Sequence, residues 1–298
     1  MASVELHPDI PVNIVLLSIR EPRRIRKHYE RGDLIILSDV RIDADFDSIA
    51  AAEPSGGVEV RRQKFVFRKS VKGKPANRST IWQRFFGGRL ENEPEACRQI
   101  QNAISAVDTQ MDRLVRKIFS RQRFIIDFTA WKFQRIVGEN LHIDNLPNLN
   151  DSTQVRLFAN VDNKPRRWSV GRHWRHYAER YFISAKLFEV ADDAPEFNGR
   201  LNHAAFGQSH MSCDEPRHLL EFEVGEVWLI NSAIVAHQVR GGDRLCSANY
   251  EYPYGQCMSR RETLPYMIRE IASRHGFPPL QAKQSLRRLL PFLRSRAA

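Results

Sequence analysis

The stretch Asn140-Leu-His142-Ile-Asp144-Asn-Leu146 decides the reading of this chain once it is joined to two later pieces, Gly225-Glu-Val-Trp-Leu-Ile-Asn231 and Ala236-His237-Gln-Val-Arg-Gly-Gly242. In an extended segment side chains alternate, so His142 and Asp144 are expected on one face of a strand and Leu141 and Ile143 on the other. The later pieces read as a strand, a turn and the start of a further strand that carries His237. Two histidines and one carboxylate are the donor set that occupies one face of an octahedron around Fe(II) and leaves three positions open. HxD alone is short enough to arise by chance on an exposed strand or turn, and the strand around His237 is what gives it weight. A third ligand arriving on a late strand is the habit of a double-stranded β-helix. The expected fold is therefore α+β, mainly β, with a jelly-roll or cupin-like double-stranded β-helix core and packed helices.

Outward from the motif, strand patterns fall at 123–128, 130–137, 155–161 and 167–170, then at 219–224, 226–230 and 245–252, separated by Gly, Asn, Asp and Pro. Upstream, 32–38 and 58–68 read as strands and 44–53 as a short helix. A long helix over 93–120 carries Ile100, Ile104, Val107, Met111, Leu114, Val115 and Ile118 at three- and four-residue spacing. The pattern is helical again between 171 and 191, and 192–217 is polar and irregular, a loop expected over the site. With no repeat and no low-complexity linker, residues 1–298 read as one domain. It has an N-terminal helical and strand elaboration over about 1–120 and a C-terminal helix over about 260–296.

Composition is that of a globular chain, with 42% hydrophobic and 10% aromatic residues. The apolar run at 14–19 is far shorter than the roughly 20 residues a bilayer span requires, and the first residues lack the basic start of a signal peptide. Cys97, Cys213, Cys246 and Cys257 form no CxxC pair or zinc spacing, so a reduced, cytoplasmic setting is expected. A net charge of +11 implies an anionic partner or substrate without choosing among nucleic acid, membrane surface and small acid. The tail over 285–296 alternates leucine with arginine. It reads either as a helix docked on the core or as a peripheral contact with the anionic face of the inner membrane.

With Fe(II) held by His142, Asp144 and His237, the usual co-substrate is 2-oxoglutarate, whose far carboxylate calls for an arginine fork. Arg156, on the strand after the HxD turn, and Arg244, just past His237, are the two candidates. In many enzymes of this kind the arginine falls a few residues later, where this chain has Ser247 and Asn249, so these are counted among the candidate co-substrate residues.

The run Leu141-His-Ile-Asp-Asn-Leu-Pro147, then Val155-Arg-Leu-Phe-Ala-Asn-Val161, then Lys164-Pro-Arg-Arg-Trp-Ser-Val-Gly171 resembles the Kdo 3-hydroxylases. These are Fe(II)/2-oxoglutarate dioxygenases that act on the sugar acid Kdo of lipopolysaccharide. The resemblance spans about residues 30–255, is clear at 141–171 and partial at 219–251. It implies that His142, Asp144 and His237 bind iron, that Arg156 lines the pocket, and that the substrate is Kdo on a glycolipid or a related sugar acid. The 145–154 loop lacks the basic residues expected there, which leaves open a different sugar acid or other small molecule. Asp144 points to hydroxylation, because halogenases of this class carry a small residue in its place. Two further readings stay open: a nucleic-acid demethylase of the same iron class, stacking bases on Trp131, Trp168 or Trp174, or a free-amino-acid hydroxylase. A non-enzymatic basic jelly-roll binding module is the remaining alternative.

Overall fold

A computed structural model describes residues 2–56, 64–71, 74–75, 79–133, 140–207 and 213–277. After β1 (Ser3–Glu5) and β2 (Ile14–Leu17), helix α1 (Pro22–Arg31) starts with proline in its first turn, where a missing N–H costs nothing. It stops at Gly32, whose φ of 87° is the left-handed conformation that closes a helix, and a Cβ there would sit 2.6 Å from the His173 ring. Then follow β3 (Leu34–Arg41), α2 (Phe46–Ala50), β4 (Phe65–Val71), β5 (Lys74–Pro75), α3 (Ser79–Phe86), α4 (Arg89–Asn92) and the long α5 (Pro94–Ile118).

The second half runs β6 (Ile126–Lys132), β7 (Ser152–Ala159), β8 (Arg166–His173), α6 (Trp174–Tyr181) and α7 (Ala194–Phe206). It continues through β9 (His218–Phe222), β10 (Glu226–Leu229), β11 (Val235–Gly241) and β12 (Leu245–Pro253) to α8 (Leu264–Arg274).

The strands form a four-stranded sheet, β1-β9-β8-β11, and an eight-stranded sheet, β2-β3-β10-β7-β12-β6-β4-β5. All pairings are antiparallel except β2 with β3. Period-two alternation divides the large sheet between two cores. On one face Ile35, Leu37, Trp131, Val155, Leu157, Cys246 and Tyr250 pack with the Ile100, Ile104, Val107 and Met111 stripe of α5. The opposite face presents Leu34, Ile36, Phe158 and Trp228 to Trp168, Val170, Leu220 and Val239 of the small sheet, and α6, α7 and α8 close this second core. The mixed α and β architecture with large sheets and packed helices agrees with the expectation.

Several boundaries differ from the sequence reading. The polar stretch after 192 contains α7: Asp193 caps it by accepting the Glu196 N–H, and Phe197, Leu201 and Phe206 are buried beneath a polar exterior. The two strands expected at 123–137 are one strand, β6, up to residue 132, and 134–139 lie outside the described residues. The strand expected at 58–68 is seen as β4 from Phe65; its earlier part likewise lies outside. Of the C-terminal helix, α8 is described, and the leucine-arginine tail falls beyond the described residues. Among the described residues no helix is long and apolar enough to cross a membrane.

Candidate metal centre

His142 and Asp144 do not lie in a strand of their own sheet partners, as alternation suggested. They form a short extended segment that makes one bridge to β11. The His142 N–H donates to the His237 carbonyl (3.0 Å), the His237 N–H donates back (2.8 Å), and the Asp144 N–H donates to the Ser232 carbonyl (2.7 Å). This pairing brings together residues nearly a hundred positions apart in sequence. Helix α7 holds the segment from behind. Asn202 accepts the Ile143 N–H (2.8 Å) and donates to the Ile143 carbonyl (2.7 Å), while Asn198, which accepts the Trp174 indole N–H (2.7 Å), donates to the Asp144 and Ala233 carbonyls.

One donor atom from each of His142, Asp144 and His237 lies within 4.8 Å of the other two. His142 Nδ1 is 2.9 Å from the Asn140 carbonyl and His237 Nδ1 is 3.1 Å from the Val235 carbonyl. A carbonyl only accepts, so both rings carry a proton on Nδ1, and Nε2 is the atom each can offer to a metal. Burial, then the neighbouring His142, push His237 down to about 4, which leaves it neutral at ordinary pH. Burial alone would raise the Asp144 carboxyl. The Arg156 guanidinium, followed by the His237 and His142 rings, outweighs it and holds Asp144 well below the usual carboxylate range.

The buried polar atoms fit a bound cation with an organic co-ligand. Asp144 Oδ2 is buried without a hydrogen bond, and so are the indole N–H groups of Trp168 and Trp228. Trp168 stacks on His237 at 5.7 Å between centroids and meets Trp228 edge-on at 5.3 Å.

The other candidate residues separate. Arg156 Nη2 lies 3.0 Å from Asp144 Oδ2, an ion pair lacking hydrogen-bond alignment, and its Nε donates to Gln154 (2.6 Å). Register sets Asn249 opposite Arg156 and Ser247 opposite Phe158 on the same face of the large sheet. Both are buried, and the Asn249 amide donates to Ser247 Oγ (3.1 Å) and its carbonyl (2.7 Å). Arg244 is placed differently from the expectation. Its guanidinium donates to the Ile49 (3.3 Å) and Ala50 (2.7 Å) carbonyls at the end of α2 and lies over the Phe133 ring, engaged with backbone rather than with the ligand cluster. Reading the sequence missed Arg166, which is fully buried on β8 and donates to the Arg244 carbonyl. Lys164-Pro-Arg-Arg looks like a surface run, and only alternation with inward-facing Trp168 and Val170 separates buried Arg166 from exposed Arg167. Trp131, Trp168 and Trp174 are at most 1% exposed, so none offers a face for stacking a base.

Two histidines and a carboxylate beside two packed sheets form a three-donor cluster that could hold a metal ion. No protein-family model matches the chain, and no curated protein matches it in sequence. Solved structures do share its fold. A structure of "the Kdo hydroxylase KdoO, a non-heme Fe(II) alphaketoglutarate dependent dioxygenase" with alphaketoglutarate and Fe(III) is similar with a TM-score of 0.56 and 13% identity, covering 91% of this chain and 98% of that one. The cobalt(II) complex of the same enzyme gives 0.57 at 13% identity and the same coverage. Its apo form gives 0.56 at 13%, covering 87% of this chain and 96% of that one.

Proposed function

We propose that this chain is an Fe(II)- and 2-oxoglutarate-dependent hydroxylase, with His142, Asp144 and His237 as the metal ligands on a double-stranded β-helix and residues 1–298 as one catalytic domain. The observation that carries the reading is the clustering of three donors whose imidazoles both donate from Nδ1, so that Nε2 is the atom each offers beside an ionised carboxylate. Bound Fe(II) with 2-oxoglutarate and O2 supplies oxidative decarboxylation to succinate coupled to hydroxylation of a substrate carbon.

The protein's own residues orient and enclose. Arg156 places a guanidinium beside the ligand set and offers a fork for a carboxylate of co-substrate or substrate, and buried Arg166 adds a second cation on the inner face of the small sheet. Ser247 and Asn249 supply polar groups on the Arg156 face, and the Phe158, Trp168, Phe222 and Trp228 cluster excludes water. Retention of Asp144 keeps three protein donors and suits hydroxylation. A sugar acid such as Kdo matches both the Arg156 guanidinium beside the ligand set and the fold shared with the Kdo hydroxylase structures. Four free cysteines suit a cytoplasmic setting.

The test is anaerobic reconstitution with Fe(II), then succinate release from 2-oxoglutarate with Kdo-bearing glycolipid, free amino acids or methylated oligonucleotide as the second substrate. Kdo-dependent succinate release that disappears in His237→Ala is expected. Failure of the wild-type protein to bind Fe(II), or undiminished turnover in the variant, refutes the reading and leaves a binding module.

A further inference from the structure

Helix α1 carries a ridge of cations that the metal centre does not use. Arg23, Lys27 and Arg31 recur every four residues, so they stand one above another on one side of the helix, and all three are exposed. Like charges at this spacing repel, and among the described residues no carboxylate comes within ion-pair reach of any of the three, whereas the neighbouring Arg24 is paired to Glu21. The ridge borders a cleft of about 490 Å³ lined by these residues with Arg24, Glu30, Met258, Ser259 and Glu262.

The acidic Glu30 does not neutralise it. Its two oxygens accept the Met258 (2.9 Å) and Ser259 (3.0 Å) backbone N–H groups, which fastens the 258–259 segment to α1 and keeps Met258, 40% exposed, at the cleft wall. Cations beside an exposed Met side chain are a combination that an interface of lipid headgroups and acyl chains accepts, whereas binding of a free phosphate would make no use of the apolar wall.

We propose that the α1 cleft docks on the phosphate headgroups of an anionic lipid surface. Tyr29, on the buried side of the same helix, anchors it to β7 by donating its hydroxyl to the Gln154 carbonyl and accepting the Arg156 N–H (3.2 Å), which holds the ridge on the outer side of α1. The docking reading is independent of the iron chemistry and is tested without it.

Sedimentation of the full chain with phosphatidylcholine vesicles, with and without phosphatidylglycerol, measures the partition coefficient. Each cation near an anionic surface contributes roughly fivefold, so R23Q/K27Q/R31Q is expected to lose about 100-fold on the anionic vesicles. A control that removes the same charge elsewhere, R98Q/R113Q/K117Q on α5, is expected to retain most of the binding. Should the triple variant fail to fold, R23Q and K27Q singly are each expected to lose about fivefold. Unchanged partitioning in the α1 variants overturns the proposal, and so does an equal loss in the control. Competition by inorganic phosphate without any vesicle binding overturns it, as does loss of oligonucleotide binding with vesicle binding intact.

Discussion

Replacing Asn202 by leucine tests whether α7 holds the HxD segment in register for metal binding. The side chain accepts one hydrogen bond from the Ile143 backbone and donates another, at 2.8 and 2.7 Å, and Ile143 is 2% exposed. Leucine has nearly the same shape and neither polar atom, so a buried N–H and a buried carbonyl lose their partners. At about 1–3 kcal/mol for each orphaned group the cost to folding is roughly 2–6 kcal/mol. At about 2 °C per kcal/mol for a domain of this size, the melting temperature of the metal-free protein falls by about 4–12 °C. Because Ile143 lies between two ligands, the same loosening weakens their common orientation, and affinity for the metal falls about 10- to 100-fold, as it does when partners behind ligands are removed. Anaerobic titration with Co(II), followed by its absorption bands, reads the affinity, and calorimetry reads the melting. A variant that melts lower by the stated amount yet binds Co(II) as the wild type does would refute the claim that α7 positions the ligands.

Two other perturbations probe residues away from the ligands. Asp108, buried on α5 and accepting the Trp131 indole N–H (2.8 Å), is pushed up to about 7 by burial. The folded state thus holds this proton more tightly than the unfolded one, and the stabilisation, complete below about pH 4, is lost as pH rises through about 7. Asp108→Asn should flatten that part of the stability profile and gain on the wild type between pH 5 and pH 8 in urea melts; parallel profiles would contradict it. Arg244→Met removes the donors to the Ile49 and Ala50 carbonyls and should cost about 2 kcal/mol in stability without changing 2-oxoglutarate affinity in the iron-loaded protein. A large loss of that affinity would return Arg244 to the co-substrate site.

Much of the β framework was legible because each strand buries one face, so alternation survives in the text: β7, β9, β10 and β12 fall where the pattern puts them. Helix α5 was equally plain, since a long helix on a sheet needs an apolar stripe of fixed period. Helix α1 and strand β2 were not seen. Seven of the ten α1 residues are Arg, Lys, His or Glu, and its two anchors, Ile25 and Tyr29, are too few to mark a period. Helix α7 was hidden for a similar reason, its buried Asn198 and half-buried Asn202 serving as backbone partners that a sequence reader takes for loop residues.

The sequence by itself determined the donor types, their HxD spacing and the strand that delivers His237, because these depend on local chemistry and a period of two. Which arginine lies beside the cluster was a matter for tertiary structure alone. Arg156 and Arg244 are equivalent as text, yet cross-strand register turns the first toward Asp144 while the end of α2 claims the donors of the second. The choice between Arg166 and Arg167 likewise rests on which face of β8 meets the opposite sheet. The protonation of the two imidazoles follows from backbone carbonyls that only the folded chain presents to them.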